Sequence, residues 1–351
     1  MKPEDLAAAY SFDLPEDLIA QHPASERDAS RLLVVRKDFI EHKLFRDLSS
    51  VMRAGDLLVL NETRVIAARI FGTRETGGAV EIVLLHPSSG MRYDPNATSW
   101  VGLTRPARRL KVGAKIGFRE HGSATVIREL DEGMRELQFT LAVPFEQFLV
   151  TVGVLPLPPY IRNDSSEAQE RYQTVFAREP GSVAAPTASL HFTKGLLAEL
   201  ERDGIEIARL ALDVGLGTFR PMKSERLDQH VMHAERYDIP VATAVAIERA
   251  KRDGRRVVAA GTTVVRALEG NIQSNGHIVP GEGCTEIFIR PGFSFQAVDA
   301  MITNFHLPQS TLLVLVSAFA GRERILHAYR EAVANAYRFF SFGDAMFLEQ
   351  D

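Results

Sequence analysis

A proline-rich segment divides the chain into two stretches with different patterns. Residues 156–159 contain three prolines in four positions. Because proline lacks a backbone N–H and has a fixed φ, this segment continues neither a helix nor a strand ladder. We therefore expect an extended connector here. The length of 351 residues independently suggests about two domains, at a usual domain size of roughly 150 residues.

The stretch before the connector is rich in short strands. Runs of β-branched and aliphatic residues lie at 57–60, 65–71, 79–85, 123–127 and 137–141, separated by glycine pairs or polar clusters. Many short strands with such punctuation are typical of a small antiparallel barrel or sandwich.

Helices and strands alternate after the connector. Helical periods lie at 192–203, 241–253, 262–268, 311–320 and 323–339, and strand-like runs lie at 205–214, 256–260, 286–289 and 298–305. This alternation predicts a layered α/β sheet, to which residues 31–35 add a further buried strand. We therefore predict a layered α/β domain with an inserted small antiparallel β-barrel. Residues 1–60 and 155–351 are assigned to the discontinuous α/β catalytic domain, and residues 61–154 to the barrel.

Charge and cysteine content exclude several classes of protein. The 41 Lys and Arg against 45 Asp and Glu give a net charge of −4. The average charge therefore argues against a nucleic-acid binder and leaves only a local patch for a polyanion. The single cysteine, Cys284, excludes an internal disulfide and fits a reducing compartment. With an acidic N-terminus and no apolar run of membrane-spanning length, we expect a soluble cytoplasmic protein.

Two predicted strands end in turns that carry polar side chains. The first turn, Gly261-Thr262-Thr263, leads into a helix. Free N–H groups at a helix start favour an anion, although either threonine also fits a plain helix cap. The second turn places Asn304 and His306 in an otherwise apolar run, where alternation points both to one face. Because ligands of open α/β sheets lie beyond the carboxyl ends of the strands, we expect these turns to border a cleft.

Two further segments combine polar groups with turns. Residues 185–192 form a small-residue loop that brings two hydroxyl groups, Thr187 and Ser189, close to His191. This is either a ligand loop with His191 as acid, base or donor, or a helix cap beside a partly buried histidine. Asp344 offers a carboxylate in a turn flanked by aromatic residues.

A glycine-containing string at 213–217 follows another predicted strand. Its order, Asp-Val-Gly-Leu-Gly, is similar to the nucleotide loop of Rossmann methyltransferases. The third glycine of that fingerprint is missing, and Pro221 comes too soon for the usual helix. A strand followed by a glycine-rich turn explains the string equally well.

Two histidines and a carboxylate stand close together at His230, His233 and Glu235. On a helix, residues three apart share a face, so a metal site is conceivable. With no third strong ligand cluster in support, we expect no metal. Hydrogen-bonding or proton-transfer roles fit His233 and Glu235 better.

The densest positive stretch of the chain is at residues 105–111. It lies in the predicted barrel, with Trp100 just upstream. Phosphate contact is one interpretation, and a solvated loop is the other. The basic residues concerned are Arg105, Arg108, Arg109 and Lys111.

Long literal strings carry a resemblance that runs nearly the whole length of the chain. The most specific lie at 181–193, 213–221, 261–269, 302–312 and 337–347. In these strings the chain resembles the S-adenosylmethionine:tRNA ribosyltransferase-isomerase family of queuosine biosynthesis. The resemblance implies an α/β domain with an inserted barrel. It also implies transfer and isomerisation of the ribosyl group of S-adenosylmethionine onto 7-aminomethyl-7-deazaguanine at the wobble position of tRNA, giving epoxyqueuosine-tRNA, adenine and methionine.

The implied reaction consumes S-adenosylmethionine and requires no metal, but the resemblance assigns no residue roles. Our candidates for proton transfer are His191, His306, His233, Glu235 and Asp344. Those for S-adenosylmethionine are Thr187, Ser189, Asp213, Gly215, Gly217, Thr262, Thr263 and Asn304. Those for tRNA are the four basic residues of 105–111. We expect a monomer that acts away from membranes. The alternatives are a Rossmann-type methyltransferase and a non-enzymatic RNA-binding module.

Overall fold

The computed structural model describes residues 3–90, 92–162, 165–215, 222 and 224–350. Strands of the described residues are, in chain order, β1 (Arg31–Val35), β2 (Ile40–Leu44), β3 (Leu57–Asn61), β4 (Thr63–Val65), β5 (Arg69–Arg74), β6 (Ala79–Pro87), β7 (Ser99–Arg105), β8 (Lys115–Gly117), β9 (Gly122–Glu129), β10 (Met134–Leu141), β11 (Glu179–Ser182), β12 (Glu206–Leu212), β13 (Glu235–Ile239), β14 (Val257–Ala260), β15 (Gly281–Thr285), β16 (Ala300–Asn304) and β17 (Ala345–Glu349). The α-helices are α1 (Phe145–Val152), α2 (Ser166–Arg171), α3 (Lys194–Arg202), α4 (Val241–Arg252), α5 (Thr262–Asn275), α6 (Thr311–Ala320) and α7 (Arg322–Ala334).

The described residues form two compact units. The α/β unit comprises the described parts of 1–62, 159–177 and 185–351, and the barrel unit comprises those of 63–158 and 178–184. The division expected at 154/155 falls instead after Pro158, and residues 155–158 form neither helix nor strand. The expected division also missed residues 178–184, which belong to the barrel unit because β11 pairs in parallel with β4.

A nine-stranded sheet organises the α/β unit across the described residues, in the order β15-β13-β12-β3-β14-β16-β17-β1-β2. Strands β12, β3, β14 and β16 run parallel to one another. β3, β14 and β16 are buried at every position, as expected for parallel strands that are covered on both faces. The edge strand β2, with the sequence IEHKL, has no buried residue. The predicted layered α/β class is therefore confirmed.

The core of the α/β unit forms where α3 covers the sheet. Leu196 and Leu200 of α3 lie in one apolar cluster with Leu58 and Leu60 of β3. These strand residues are two apart and therefore share a face of the sheet. Thr193 begins α3 by accepting the Leu196 N–H at 3.0 Å. The cap fixes where the helix starts and which of its faces meets the sheet.

The barrel unit contains a closed antiparallel barrel, in the order β10-β7-β6-β5-β8-β9. Closure leaves no open sheet edge. Aromatic rings of α1 pack on the barrel residues: Phe145 stacks on Trp100 at 4.9 Å between centroids, and Phe148 meets Phe118 at 5.1 Å. The predicted small antiparallel barrel is confirmed, with α1 as an element that the sequence pattern did not indicate.

Three local predictions were wrong. Residues 286–289 were expected to form a strand but do not. The preceding strand, β15, ends at Thr285, whose hydroxyl accepts the Ile287 N–H at 3.2 Å. The helix expected at 323–339 ends at Ala334, because the Phe339 N–H donates instead to Leu18 O. The helix considered for His230 and His233 does not form, since these residues precede β13 without regular structure.

None of the helices among the described residues has the length and apolar character needed to cross a membrane.

Candidate active site

Four parallel strands place their carboxyl ends at one edge of the sheet, where ligands of α/β proteins bind. Asn61, at the end of β3, ties two neighbouring segments together. Its side-chain amide pairs with the backbone N–H and C=O of Leu212 at 3.0 Å each, and its Nδ2 donates to Thr263 Oγ1 at 3.4 Å. No local sequence signal marks Asn61, because its partners lie about 150 and 200 positions away in the chain.

A cleft opens at this edge and encloses about 500 Å³ of empty space, part of it open to solvent. We call it the strand-end cleft. Its lining residues are Ala185, Pro186, Thr187, Ala188, Val214, Gly261, Thr262, Thr263, Thr303, Asn304, Phe305, His306, Leu312, Phe340 and Ser341. None of these described residues is an aspartate, glutamate, lysine or arginine, so hydroxyl, amide, imidazole and aromatic groups set its chemistry.

The turn from β14 into α5 supplies hydrogen-bond donors to the strand-end cleft. Gly261 has a φ of +106°, a conformation that favours glycine and permits the sharp turn. Thr262 and Thr263 are the first residues of α5 and line the cleft. Their N–H groups have no acceptor within the helix and carry the positive end of its dipole. This helix start therefore suits a carboxylate.

The polar side chains of the 185–192 loop divide between the strand-end cleft and the protein interior. Thr187 lines the strand-end cleft, whereas Ser189 and His191 do not. Ser189 is fully buried, and its Oγ has no hydrogen-bond partner among the described residues. The loop expected to carry three ligand groups therefore brings one of them, Thr187, to the cleft.

His191 is buried directly behind the loop. Its Nδ1 lies 2.7 Å from Ser30 Oγ, and its ring stacks on Phe45 at 4.9 Å between centroids. Burial lowers the pKa of His191 to about 4, although the nearby Asp344 charge opposes the shift. The imidazole is therefore neutral at neutral pH and is not a source of a proton from a charged ring.

Asn304 connects His191 with the cleft. Its Nδ2 donates to Phe340 O at 2.9 Å, which fixes the orientation of the amide. Its Oδ1 is buried without a hydrogen-bond partner among the described residues, and so is His191 Nε2. The two side chains are close enough for Asn304 to raise the pKa of His191. Asn304 thus presents an unsatisfied acceptor in a residue that lines the cleft.

His306 lines the strand-end cleft directly. Its Nε2 lies 2.9 Å from Thr303 Oγ1, and its backbone N–H donates to the Tyr329 hydroxyl at 2.9 Å. The Thr303 hydroxyl is placed to donate to Asn304 O at 3.4 Å. In the tautomer that carries its proton on Nε2, the Thr303 hydroxyl accepts a hydrogen bond from that proton and Nδ1 keeps a lone pair. Burial lowers the pKa of His306 to about 3, so the ring is neutral.

Two candidate carboxylates lie outside the cleft lining and hold arginines instead. Asp344 is 2% exposed and accepts from the backbone and guanidinium N–H groups of Arg31. Glu235 is buried and accepts from the Arg266 guanidinium. Both carboxylates are committed to arginines, so these positions suit structural roles better than the proton transfer expected for them.

The other predicted positions are not brought together. His233 is exposed in the irregular segment before β13, and it does not line the cleft. Asp213 and Gly215 flank Val214, which alone of the three lines the cleft. Gly217 lies outside the described residues. The described part of the chain contains no group of three or more His, Cys, Asp or Glu residues placed to hold a metal ion.

The basic loop, residues 105–111, belongs to the barrel unit, and a buried arginine donates hydrogen bonds to its backbone. Arg135 is 5% exposed and donates to Ala107 O and Leu110 O at 2.7 Å each. Lys111 pairs with Glu129 at 3.1 Å. The remaining three basic residues are exposed and make no ion pair with any described residue: Arg105, Arg108 and Arg109. The structure therefore presents three guanidinium groups on a backbone that Arg135 holds.

Two residues of the cleft region escaped the sequence analysis. Ser341 lines the cleft, and its hydroxyl contacts the Tyr160 hydroxyl. The Tyr160 ring packs against Phe340 at 4.1 Å between centroids. The aromatic-flanked turn near Asp344 was a usable signal for Ser341, whereas nothing in the pattern around Tyr160 pointed to a site.

A family model described as "Queuosine biosynthesis protein" matches residues 7–348. The chain belongs to this family. The match includes every described residue of the strand-end cleft and the basic loop.

Individual relatives within the family are similar over almost their whole length. The S-adenosylmethionine:tRNA ribosyltransferase-isomerase of Moorella thermoacetica is 52% identical over 344 residues, which cover 97% of this chain and 98% of the relative. The protein of the same name from Carboxydothermus hydrogenoformans is 50% identical, with the same coverage. A crystal structure of S-adenosylmethionine tRNA ribosyltransferase from Thermotoga maritima matches with a TM-score of 0.54 and 34% identity, and covers 97% of this chain and 99% of that chain.

Family membership decides between the alternatives raised by the 213–217 string. The relatives carry the name of a ribosyltransferase-isomerase, and the methyltransferase alternative is not favoured. The protein is therefore an enzyme of the transferase and isomerase type in queuosine biosynthesis.

Proposed function

We propose that this chain transfers and isomerises the ribosyl group of S-adenosylmethionine onto 7-aminomethyl-7-deazaguanine at the wobble position of tRNA. The products are epoxyqueuosine-tRNA, adenine and methionine. The observation that carries the proposal is the strand-end cleft, where an uncharged polar wall, a buried histidine and the start of α5 meet. The names of relatives that are 50% identical over nearly the whole chain give independent support.

The cleft residues fit the chemical groups of S-adenosylmethionine. The N–H groups of Thr262 and Thr263 suit the methionine carboxylate. The unsatisfied Oδ1 of Asn304 suits an exocyclic amine such as that of adenine. The rings of Phe305 and Phe340 line the same cleft and suit the sulfonium charge.

His306 is the residue that we propose as proton acceptor. A bound sulfonium acidifies the adjoining ribose C–H, so the reaction requires a base at that carbon. The Nδ1 of His306 has no hydrogen-bond partner among the described residues, and we propose that the ring carries its proton on Nε2, toward Thr303, so that Nδ1 is the acceptor. His191 does not line the cleft, so we propose no direct proton-transfer role for it. We no longer propose His233, Glu235 or Asp344 for proton transfer.

Product analysis tests the proposed function. The wild-type protein is incubated with S-adenosylmethionine and an anticodon stem-loop that carries 7-aminomethyl-7-deazaguanine. We expect adenine and methionine in equal amounts, together with epoxyqueuosine in the RNA. S-adenosylhomocysteine as the product, or RNA binding without any turnover, would overturn the proposal.

Two histidine variants test the assigned base. His306→Gln is expected to lower kcat by about 10²–10⁴-fold, the usual contribution of a general base. His327→Gln is the matched control, because His327 is exposed on α7. Near-normal adenine release by His306→Gln would remove His306 from the mechanism.

We also propose that the basic loop of the barrel unit contacts the RNA and that the enzyme works as a cytoplasmic monomer. Arg105, Arg108 and Arg109 support the first point, because exposed guanidinium groups without ion pairs are free to meet phosphates. Light scattering of the purified protein measures the oligomeric state.

A further inference from the structure

A second cavity lies beside the strand-end cleft within the α/β unit. It encloses about 280 Å³ of empty space, part of it open to solvent. Three arginines line it: Arg27, Arg171 and Arg338. We call it the three-arginine cavity. Ser341 lines both cavities, so a group held in one lies next to a group held in the other.

The hydrogen bonds of these arginines leave much of their charge uncompensated. Arg27 donates to Arg171 O and Leu190 O, and Arg171 donates to Ser25 O and Ala24 O. Neither forms an ion pair with a carboxylate of the described residues. Backbone carbonyls orient a guanidinium without neutralising it. The two arginines are thus built into the wall while retaining their charge.

The arginines also act on one another. Burial and the Arg171 charge lower the pKa of Arg27, and the nearby Glu170 charge opposes the shift only as the smallest of the three causes. Because an arginine remains protonated at any ordinary pH, the repulsion persists in the folded protein. An anion placed between the two groups would relieve it.

Arg338 has a carboxylate near it, but that carboxylate is shared. Arg338 Nη2 lies 3.7 Å from Asp344 Oδ1, which is beyond hydrogen-bond distance. Of the two guanidinium groups, that of Arg31 lies closer to Asp344, at 3.2 Å, while the backbone N–H groups of Arg31 and Arg338 donate to Asp344 at 2.9 Å and 2.8 Å. One carboxylate thus serves two arginines, and the cavity retains a net positive charge.

Two buried atoms in the cavity wall lack partners among the described residues. They are Arg171 Nε, which is a donor, and His191 Nε2. A buried donor without an acceptor costs about 1–3 kcal/mol. Both belong to residues that line the three-arginine cavity. An oxygen acceptor bound there would satisfy the Arg171 donor.

We propose that the three-arginine cavity is an oxyanion site that holds an anionic group of a substrate during the reaction. The inference rests on the proposed function, because that reaction brings two such groups. One is a phosphate of the RNA next to the modified nucleotide, and the other is the carboxylate of S-adenosylmethionine. Arginine recognises both through the same planar pairs of donors.

Binding measurements on glutamine variants test the oxyanion site. The affinity of Arg171→Gln and Arg338→Gln is measured separately for S-adenosylmethionine and for the anticodon stem-loop, the latter at several salt concentrations. We expect at least a tenfold loss of affinity for one of the two ligands. Loss for the stem-loop, with a logarithmic salt slope that is smaller by about one, assigns the site to an RNA phosphate. Loss for S-adenosylmethionine assigns it to the carboxylate, which would then lie in this cavity and not at the start of α5.

Matched variants separate binding from folding. Arg46→Gln is the control, because Arg46 is exposed and pairs with exposed Glu26. Arg171→Lys retains the charge but not the planar pair of donors, so its affinity should lie between those of the wild type and Arg171→Gln. The Arg338 side chain is 32% exposed, so we expect Arg338→Gln to fold even if Arg171→Gln does not fold. Wild-type affinity for both ligands in folded Arg338→Gln, and in Arg171→Gln where that variant folds, would overturn the oxyanion site.

The test of the oxyanion site does not depend on turnover by the enzyme. Inorganic phosphate serves as a further probe, by the shift it causes in the thermal midpoint of the wild type and of Arg338→Gln. Stabilisation of the wild type alone supports the site even if the expected products are absent. Equal stabilisation of both proteins counts against it, whereas missing adenine release counts only against the proposed function.

Discussion

Replacing Asp344 with asparagine separates a structural carboxylate from a catalytic one. The Asp344 side chain accepts the backbone N–H groups of Arg31 at 2.9 Å and of Arg338 at 2.8 Å. It also accepts two guanidinium N–H groups of Arg31 at 3.2 Å each. Asparagine retains one acceptor oxygen and turns a donor toward groups that are themselves donors. Oδ1 accepts one of these four hydrogen bonds and Oδ2 accepts three, so the asparagine orientation that keeps most of them loses the Arg31 N–H bond, and the other three lose their charged acceptor.

The structure sets the size of the expected effect. Each hydrogen bond to a charged group contributes about 1.5–3 kcal/mol. The Arg31 side chain is 35% exposed, so water screens its share of the interaction. We expect the free energy of unfolding to fall by about 2–4 kcal/mol. Because Asp344 does not line the strand-end cleft, kcat of the folded variant should fall by less than about tenfold, which corresponds to roughly 1.4 kcal/mol.

Urea unfolding and adenine release together provide the measurement. Asp253→Asn is the control, since Asp253 is 46% exposed and its surface ion pairs contribute about 0–1 kcal/mol. If Asp344→Asn unfolds like the wild type and yet loses adenine release more than about a hundredfold, the structural role is refuted. Asp344 would then be a proton-transfer group, as the sequence alone suggested.

Other predictions concern pH and the basic loop. Burial holds the pKa of His191 at about 4 and of His306 at about 3, against 6.5 without burial. Below pH 6.5 the unfolded chain therefore binds more protons than the folded chain. The free energy of unfolding falls by about 1.4 kcal/mol for each pH unit below 6.5 and for each imidazole. Urea unfolding of His306→Gln at several pH values should show a shallower decline. Changing Arg108 and Arg109 together to alanine should raise KM for tRNA and weaken its salt dependence without changing KM for S-adenosylmethionine. Arg135→Met should also raise KM for tRNA, because the loop loses its support. An unchanged KM for tRNA in both of these variants would show that the loop does not contact RNA.

Local signals in the sequence determine part of the fold. The helix predicted at 311–320 matches α6 because Ser310 caps it and accepts the Leu313 N–H at 3.2 Å. The parallel strands were recognisable as apolar runs. The end of α7 was not, since residues 335–339 continue a helical period while Phe339 pairs with the distant Leu18. Periodicity reports which residues are buried, and distant pairing then decides the backbone conformation.

The candidate site was predictable to the extent that strand ends are. Thr262, Thr263, Asn304 and His306 were identified because they follow apolar strands, and the cleft is lined by all four. The arginine cavity was not identified, because Arg27, Arg171 and Arg338 are scattered along the chain. The net charge of −4 was a poor guide to local charge, because an average over the chain conceals both the basic loop and the arginine cavity.

The order of strands in the sheet has a consequence for how the chain is made. β17 lies between β16 and β1, so the first hairpin, β1 and β2, joins the sheet only through the last strand. On the ribosome, β1 emerges about 300 residues before its partner, whereas the barrel strands pair with near neighbours in the chain. The barrel can close during synthesis while the first hairpin waits for the final residues. A nascent chain that is cut short before residue 345 would carry a finished barrel and an unfinished sheet.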